Sequence, residues 1–90
     1  MTYSLFRERD GAGDSGSMSV GFWRDESGEI QEEYNCRPRV GIVIRVGSPY
    51  ARTFQPQDWW QTSYITEILE ESENKIRFKT GNSIYNWEIF

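Results

Sequence analysis

No histidine occurs in the 90 residues, and Cys36 is the only cysteine. The first absence removes Ser-His and Cys-His nucleophiles and histidine-ligated zinc; the second removes internal disulfides and cysteine clusters. No general base near neutral pH is identifiable, so the chain reads as a non-enzymatic binding protein with no cofactor and no metal. Long apolar runs are missing too, and no segment approaches the roughly 20 residues that span a bilayer. The opening MTYSLFRERD lacks a basic stretch followed by an apolar one, a pattern that points to the cytoplasm. Leucine and alanine number two each, which leaves little for helices to be made from.

Isoleucine and valine together number twelve, and fourteen aromatics join them. These residues suit pleated, half-buried strands, and the expectation is a mostly β fold. At 37% apolar and 27% charged, one small domain with a thin core is the most the chain can build. About five strands with short turns imply a small, strongly bent antiparallel sheet or an SH3-like or OB-like barrel.

Residues 10–19, DGAGDSGSMS, hold three glycines and three serines, and only Met18 is bulky. The segment reads as a flexible linker or loop behind a short arm, Thr2 to Arg9, which either adds an edge strand or stays mobile, the weakly held form being favoured, so residues 1–18 precede a β domain at 19–90. Ser19 to Arg24 and Glu29 to Tyr34 flank the turn formers DESG as a hairpin. Arg39 to Val46 places Val40, Ile42, Ile44 and Val46 on one core-facing side and breaks at Gly47-Ser48-Pro49. Gly81-Asn82 closes a two-residue hairpin, which pairs Phe78 with Tyr85, Ile76 with Trp87 and Lys75 with Glu88. Gln61 to Glu73 has both helical and strand features; strand through about Leu69, with a bulge near Ile68-Leu69, reconciles them.

Net charge is −4 but uneven: residues 1–35 carry −5, residues 36–62 carry +3 and residues 63–90 carry −2. Acidic flanks argue against duplex DNA, which calls for a dominant basic surface. A compact anion site fits the centre, where every cation is arginine: Arg37, Arg39, Arg45 and Arg52. Arg45 and Arg52 flank Gly47 and Ser48, whose backbone and hydroxyl can donate to a phosphate, while Tyr50, Trp59 and Trp60 can stack a base. Adjacent strand residues face opposite ways, so Trp59 and Trp60 divide between the core and an exposed or interfacial surface unless a turn tucks both inside. Asn82, with Thr80 and Ser83, adds donors at the hairpin tip. The plainer alternative is solvated or acid-paired arginines beside an ordinary turn. Surplus aromatics on so small a body favour a homo-oligomer.

Residues 39–90, through RVGSPYAR, DWWQT and FKTGNSIYNW, resemble short accessory proteins carried by bacteriophages and related mobile elements. The resemblance implies a viral accessory protein acting in the host cytoplasm, a class that includes inhibitors of host defence. Some of these are sponges that sequester cyclic nucleotide signals; others, the anti-CRISPR proteins, block a host protein. The first expectation is therefore sequestration of an anionic nucleotide-like signal. The second is a protein inhibitor whose acidic hairpin, Asp25, Glu26, Glu29, Glu32 and Glu33, engages a basic groove on a nucleic-acid-handling partner.

Overall fold

The computed structural model describes residues 1–48 and 58–90, which form nine strands. They are β1 (Tyr3–Arg7), β2 (Gly13–Gly16), β3 (Met18–Arg24), β4 (Ile30–Tyr34), β5 (Val43–Ser48), β6 (Asp58–Gln61), β7 (Ile65–Glu71), β8 (Lys75–Thr80) and β9 (Ile84–Ile89). All pairs are antiparallel, in a five-stranded sheet ordered β2-β1-β9-β8-β7 and a four-stranded sheet ordered β4-β3-β5-β6. The mostly β antiparallel fold agrees with the sequence; the count of about five strands does not. No helix among the described residues is long and apolar enough to cross a membrane.

The largest departure is at the N-terminus. The expected arm is β1, held between β2 and β9, and its Tyr3 and Leu5 are among the most buried residues of the chain. The expected linker is β2, which pairs with β1 and leads through Ser17 into β3, so it carries the chain from one sheet to the other. Its glycines permit close approach. A Cβ on Gly13 would clash with the Leu5 carbonyl oxygen, and one on Gly16 would stand 2.3 Å from the backbone of Gly47. Small residues here reflect backbone contact rather than looseness.

One core joins the two sheets. Tyr3 and Leu5 of β1, Ile76 and Phe78 of β8, and Tyr85 and Trp87 of β9 meet Ile44 and Val46 of β5, with Ile42, Cys36 and Ile65 completing it. The β8–β9 register is the expected one, with Phe78 opposite Tyr85 and Ile76 opposite Trp87. Thr80 N–H donates to Ser83 O at 2.9 Å to close the loop. Phe78 and Tyr85 stack with centroids 5.5 Å apart, and Trp87 tilts against Tyr3 at 5.7 Å. The Trp87 indole donates to Ser19 Oγ at 3.1 Å and Ser19 Oγ donates to Cys36 O at 2.8 Å, a buried link from one sheet to the other.

β7 is a strand, and its register shifts between Ile65 and Glu67 and again between Ile68 and Glu70, the second at the expected bulge. The strand expected from Arg39 instead starts at Val43. Gly41 adopts φ 95°, which ends extended pairing on that side, and Val40 is 57% exposed rather than in the core. At the other end β5 does not break at Gly47: Gly47 pairs with Met18 and Trp59, and Ser48 pairs with Asp58.

The β1–β2 turn is tied by charge. Arg7 donates to both oxygens of Asp10, at 3.0 and 2.7 Å, and Ala12 N–H donates to Asp10 Oδ1 at 3.1 Å. These bonds hold the Asp10 carboxyl at about 2, with the Arg7 hydrogen bond the largest cause. Glu8 is lowered by Arg77, and Asp25 by Ser27. Groups depressed in the folded state stabilise it fully above their unfolded pKa, and that stability is lost as pH falls through the folded value. The urea midpoint should therefore decline as pH is lowered from about 5 towards about 2. Asp10→Asn should make the decline shallower without removing the part due to Glu8 and Asp25; a flat midpoint over this range would exclude the linkage.

Candidate ligand-binding site

β5 sends Ile44 and Val46 inward, so strand alternation places Arg45 on the outer face of the four-stranded sheet. Its cross-strand neighbours are Val20 on β3 and Gln61 on β6. Phe22 and Trp59 occupy the diagonal positions, opposite Val43 and Gly47 respectively. The guanidinium carbon lies 4.6 Å from the Phe22 ring centroid and 4.0 Å from that of Trp59. Nε and Nη2 both donate to Gln61 Oε1, at 3.1 and 2.8 Å. Two rings and one amide thus fix the orientation of a side chain that would otherwise sample many rotamers.

Beside it is a cavity of about 300 Å³. Phe22, Val43 and Ile30 supply its apolar wall, and Trp23 and Tyr64 add aromatic edges. Arg45, Arg24 and Gln61 supply polarity, and no carboxylate is present among the described residues that line it. Arg24 is braced by Nη1 donating to Gly28 O at 2.8 Å. In a chain of net charge −4, a lining with two arginines and no described carboxylate is a local excess of positive charge, with Glu32, opposite Phe22 on β3, standing on the same face outside it.

The other outer face shows what an ordinary solvated sheet looks like here. On the five-stranded sheet Lys75 pairs with Glu88 at 3.6 Å, Arg77 pairs with Glu8 at 2.5 Å, and Asn86 donates to Glu8 at 3.1 Å. Cross-strand charge pairs cover it. The four-stranded sheet presents Phe22, Val43 and Trp59 around Arg45, and its edge strand β4 leaves Ile30 and Tyr34 more than 60% exposed. Apolar and aromatic surface of this kind on a solvated face is characteristic of a binding surface.

Of the residues expected from sequence, the structure brings Arg45 and Trp59 together. Trp60, opposite Val46, turns inward and packs on the core, with the Arg7 guanidinium 5.2 Å from its ring. The two adjacent tryptophans therefore divide between faces, as alternation requires. Trp60 Nε1 is buried without a hydrogen-bond partner among the described residues. Gly47 is corrected: it is buried mid-strand beneath Gly16, so the close backbone approach there belongs to β2 and not to a ligand. Ser48 is the last residue of β5, and the turn expected to follow it lies outside the described residues. Tyr50 and Arg52 lie outside the described residues. Asn82 belongs elsewhere, exposed at the β8–β9 tip beside a separate cavity shared with Arg9, Lys79 and Ser83.

The remaining central arginines bind the protein to itself. Arg37 donates to Glu73 O at 2.7 Å and Ser72 O at 2.8 Å and lies over Trp87. Arg39 pairs with Glu33 at 3.4 Å and lies over Trp23. Cys36 is fully buried, and burial pushes its thiol up to about 11, the opposite of activation by the neighbouring Arg37. In the acidic hairpin, Asp25 is spent on the turn, accepting from Ser27, Glu29 and Gln31, while Glu26, Glu29 and Glu32 are exposed.

Sequence reading missed Phe22, Arg24, Val43, Gln61 and Tyr64. The period-2 pattern of β3, which puts Val20, Phe22 and Arg24 on one side, was a partial signal; the β3–β5–β6 register that gathers them is not local. No family model, curated protein or solved structure matches this chain.

Proposed function

We propose that this chain is a non-enzymatic binding protein that holds a small anionic, ring-bearing ligand of nucleotide type at the Arg45 cavity. The observation that carries the reading is the local excess of positive charge: two arginines and several rings line a cavity free of described carboxylates on an otherwise acidic protein. A cavity of about 300 Å³ is at the lower end of small-ligand pockets, the size of one nucleotide. Arg45 is held by Gln61 and two rings before any ligand arrives, which lowers the ordering cost of binding. The resemblance to bacteriophage accessory proteins gives such binding a use, sequestration of a nucleotide signal in the host cytoplasm. Self-association through exposed Ile30 and Tyr34 would deepen the cavity in a homo-oligomer.

Titration calorimetry with mono-, di- and cyclic nucleotides tests it. Arg45→Ala should weaken binding roughly 10- to 100-fold, the worth of a charge-assisted contact, and Arg45→Lys should restore only part because the planar fork is gone. Ligand should be recovered chemically intact after heat denaturation. No binding to the unmodified chain, or equal binding by the Arg45 variants, would refute the proposal.

The acidic-hairpin reading is less well supported, since Asp25 and Glu33 already serve internal contacts. Its support is the exposure of Glu26, Glu29 and Glu32. Reversing Glu26 and Glu29, which lie away from Phe22, should leave nucleotide binding nearly unchanged if the Arg45 reading is right.

A further inference from the structure

Resting on the nucleotide reading of the Arg45 cavity, the geometry points to a preference for bases that carry oxo groups, guanine and uracil, over their amino counterparts, adenine and cytosine. The reason is the hydrogen-bonding sense of the polar side chains. Arginine has no acceptor, so Arg45 and Arg24 can only donate. Gln61 would ordinarily offer both senses. Here its oxygen accepts two N–H groups from Arg45, at 3.1 and 2.8 Å, and because arginine cannot accept, the amide cannot be turned the other way round. Any contact Gln61 makes with a ligand is therefore made as a donor. Tyr64 alone among the lining side chains retains a group able to accept, its hydroxyl.

A site built of donors is satisfied by acceptor edges. The N7 and O6 atoms of guanine and O4 of uracil are acceptors, whereas adenine and cytosine place an exocyclic amino donor at the corresponding position. A base seated there would cover Gln61 from water, and two donors meeting beneath it would be left without partners. The same donors suit the phosphate, so one arrangement recognises both ends of the ligand.

The test is competition by calorimetry on the full chain: UMP against CMP, which differ only at position 4 and the adjoining N3, is the primary pair, and GMP against AMP, where guanine also adds a 2-amino donor, is the second. The expected result is tighter binding of UMP and GMP by roughly 5- to 100-fold, the range for a directed base contact. Gln61→Glu keeps the size and the acceptor for Arg45 but replaces the donor with an acceptor. The added charge repels every nucleotide alike, so the UMP-to-CMP ratio is the readout, and it should fall towards or below one. Gln61 is exposed, so the variant should fold, and near-ultraviolet circular dichroism checks that it does. Equal binding within each pair, or a preference for CMP and AMP, overturns the inference while leaving the nucleotide reading intact. A UMP-to-CMP ratio unchanged in Gln61→Glu also overturns it. If none of the four nucleotides binds, this inference fails with the reading beneath it.

Discussion

Trp87→Ala should destabilise the protein by roughly 3–5 kcal/mol, the range for deleting a large buried aromatic. Trp87 has no exposed surface and sits between Leu5 on β1 and Ile76 on β8, so nothing flanking it can swing in to fill the space. Its indole N–H also reaches across to Ser19 on the four-stranded sheet. Removing it therefore opens a cavity and breaks a buried bond between the sheets in one change. A domain of this size is stabilised by about 5–15 kcal/mol, so the variant should lose a large share of its stability and unfold at much lower urea. Trp87→Phe loses the donor but only part of the ring volume, so it should cost less than alanine by at least about 1 kcal/mol. A shift below about 1 kcal/mol for Trp87→Ala would show that this face is not the core.

Gly16→Ala should be destabilising by roughly 1–3 kcal/mol, and the sign matters more than the size. In a mobile linker, alanine for glycine stiffens the unfolded chain and stabilises by about 0.4–1 kcal/mol. In this fold the new methyl would stand 2.3 Å from the Gly47 carbonyl carbon and oxygen, and those are backbone atoms of a central strand that cannot rotate away. β2 would have to lift from β5, loosening the crossing that carries the chain between the sheets. Gly81→Ala is the control: nothing lies within 4 Å of a Cβ there and the residue is not in the left-handed region, so its midpoint should hardly move. Urea unfolding of the three proteins decides the matter, and a stabilised Gly16→Ala would restore the linker.

What the sequence determined alone depends on neighbours along the chain, although the start of β5 at Val43 rather than Arg39 escaped it. The mostly β character follows from twelve isoleucines and valines against two leucines, and the antiparallel β8–β9 pairing and its register from a two-residue loop between alternating strands. The bulge at Ile68-Leu69 and the division of Trp59 from Trp60 also follow, because each rests on the period of two. What only the tertiary structure decided depends on which distant backbones meet. Gly13 and Gly16 have the composition of a linker, and their role becomes visible once Leu5 and Gly47 are known to press against them. The candidate site divides the same way. Strand alternation put Arg45 outward, but Phe22 and Gln61 lie 23 and 16 positions away in sequence and reach it only through cross-strand pairing. Pairing between strands is set by the sum of burial over the whole core, with many registers of similar local merit, so no short stretch of residues encodes it.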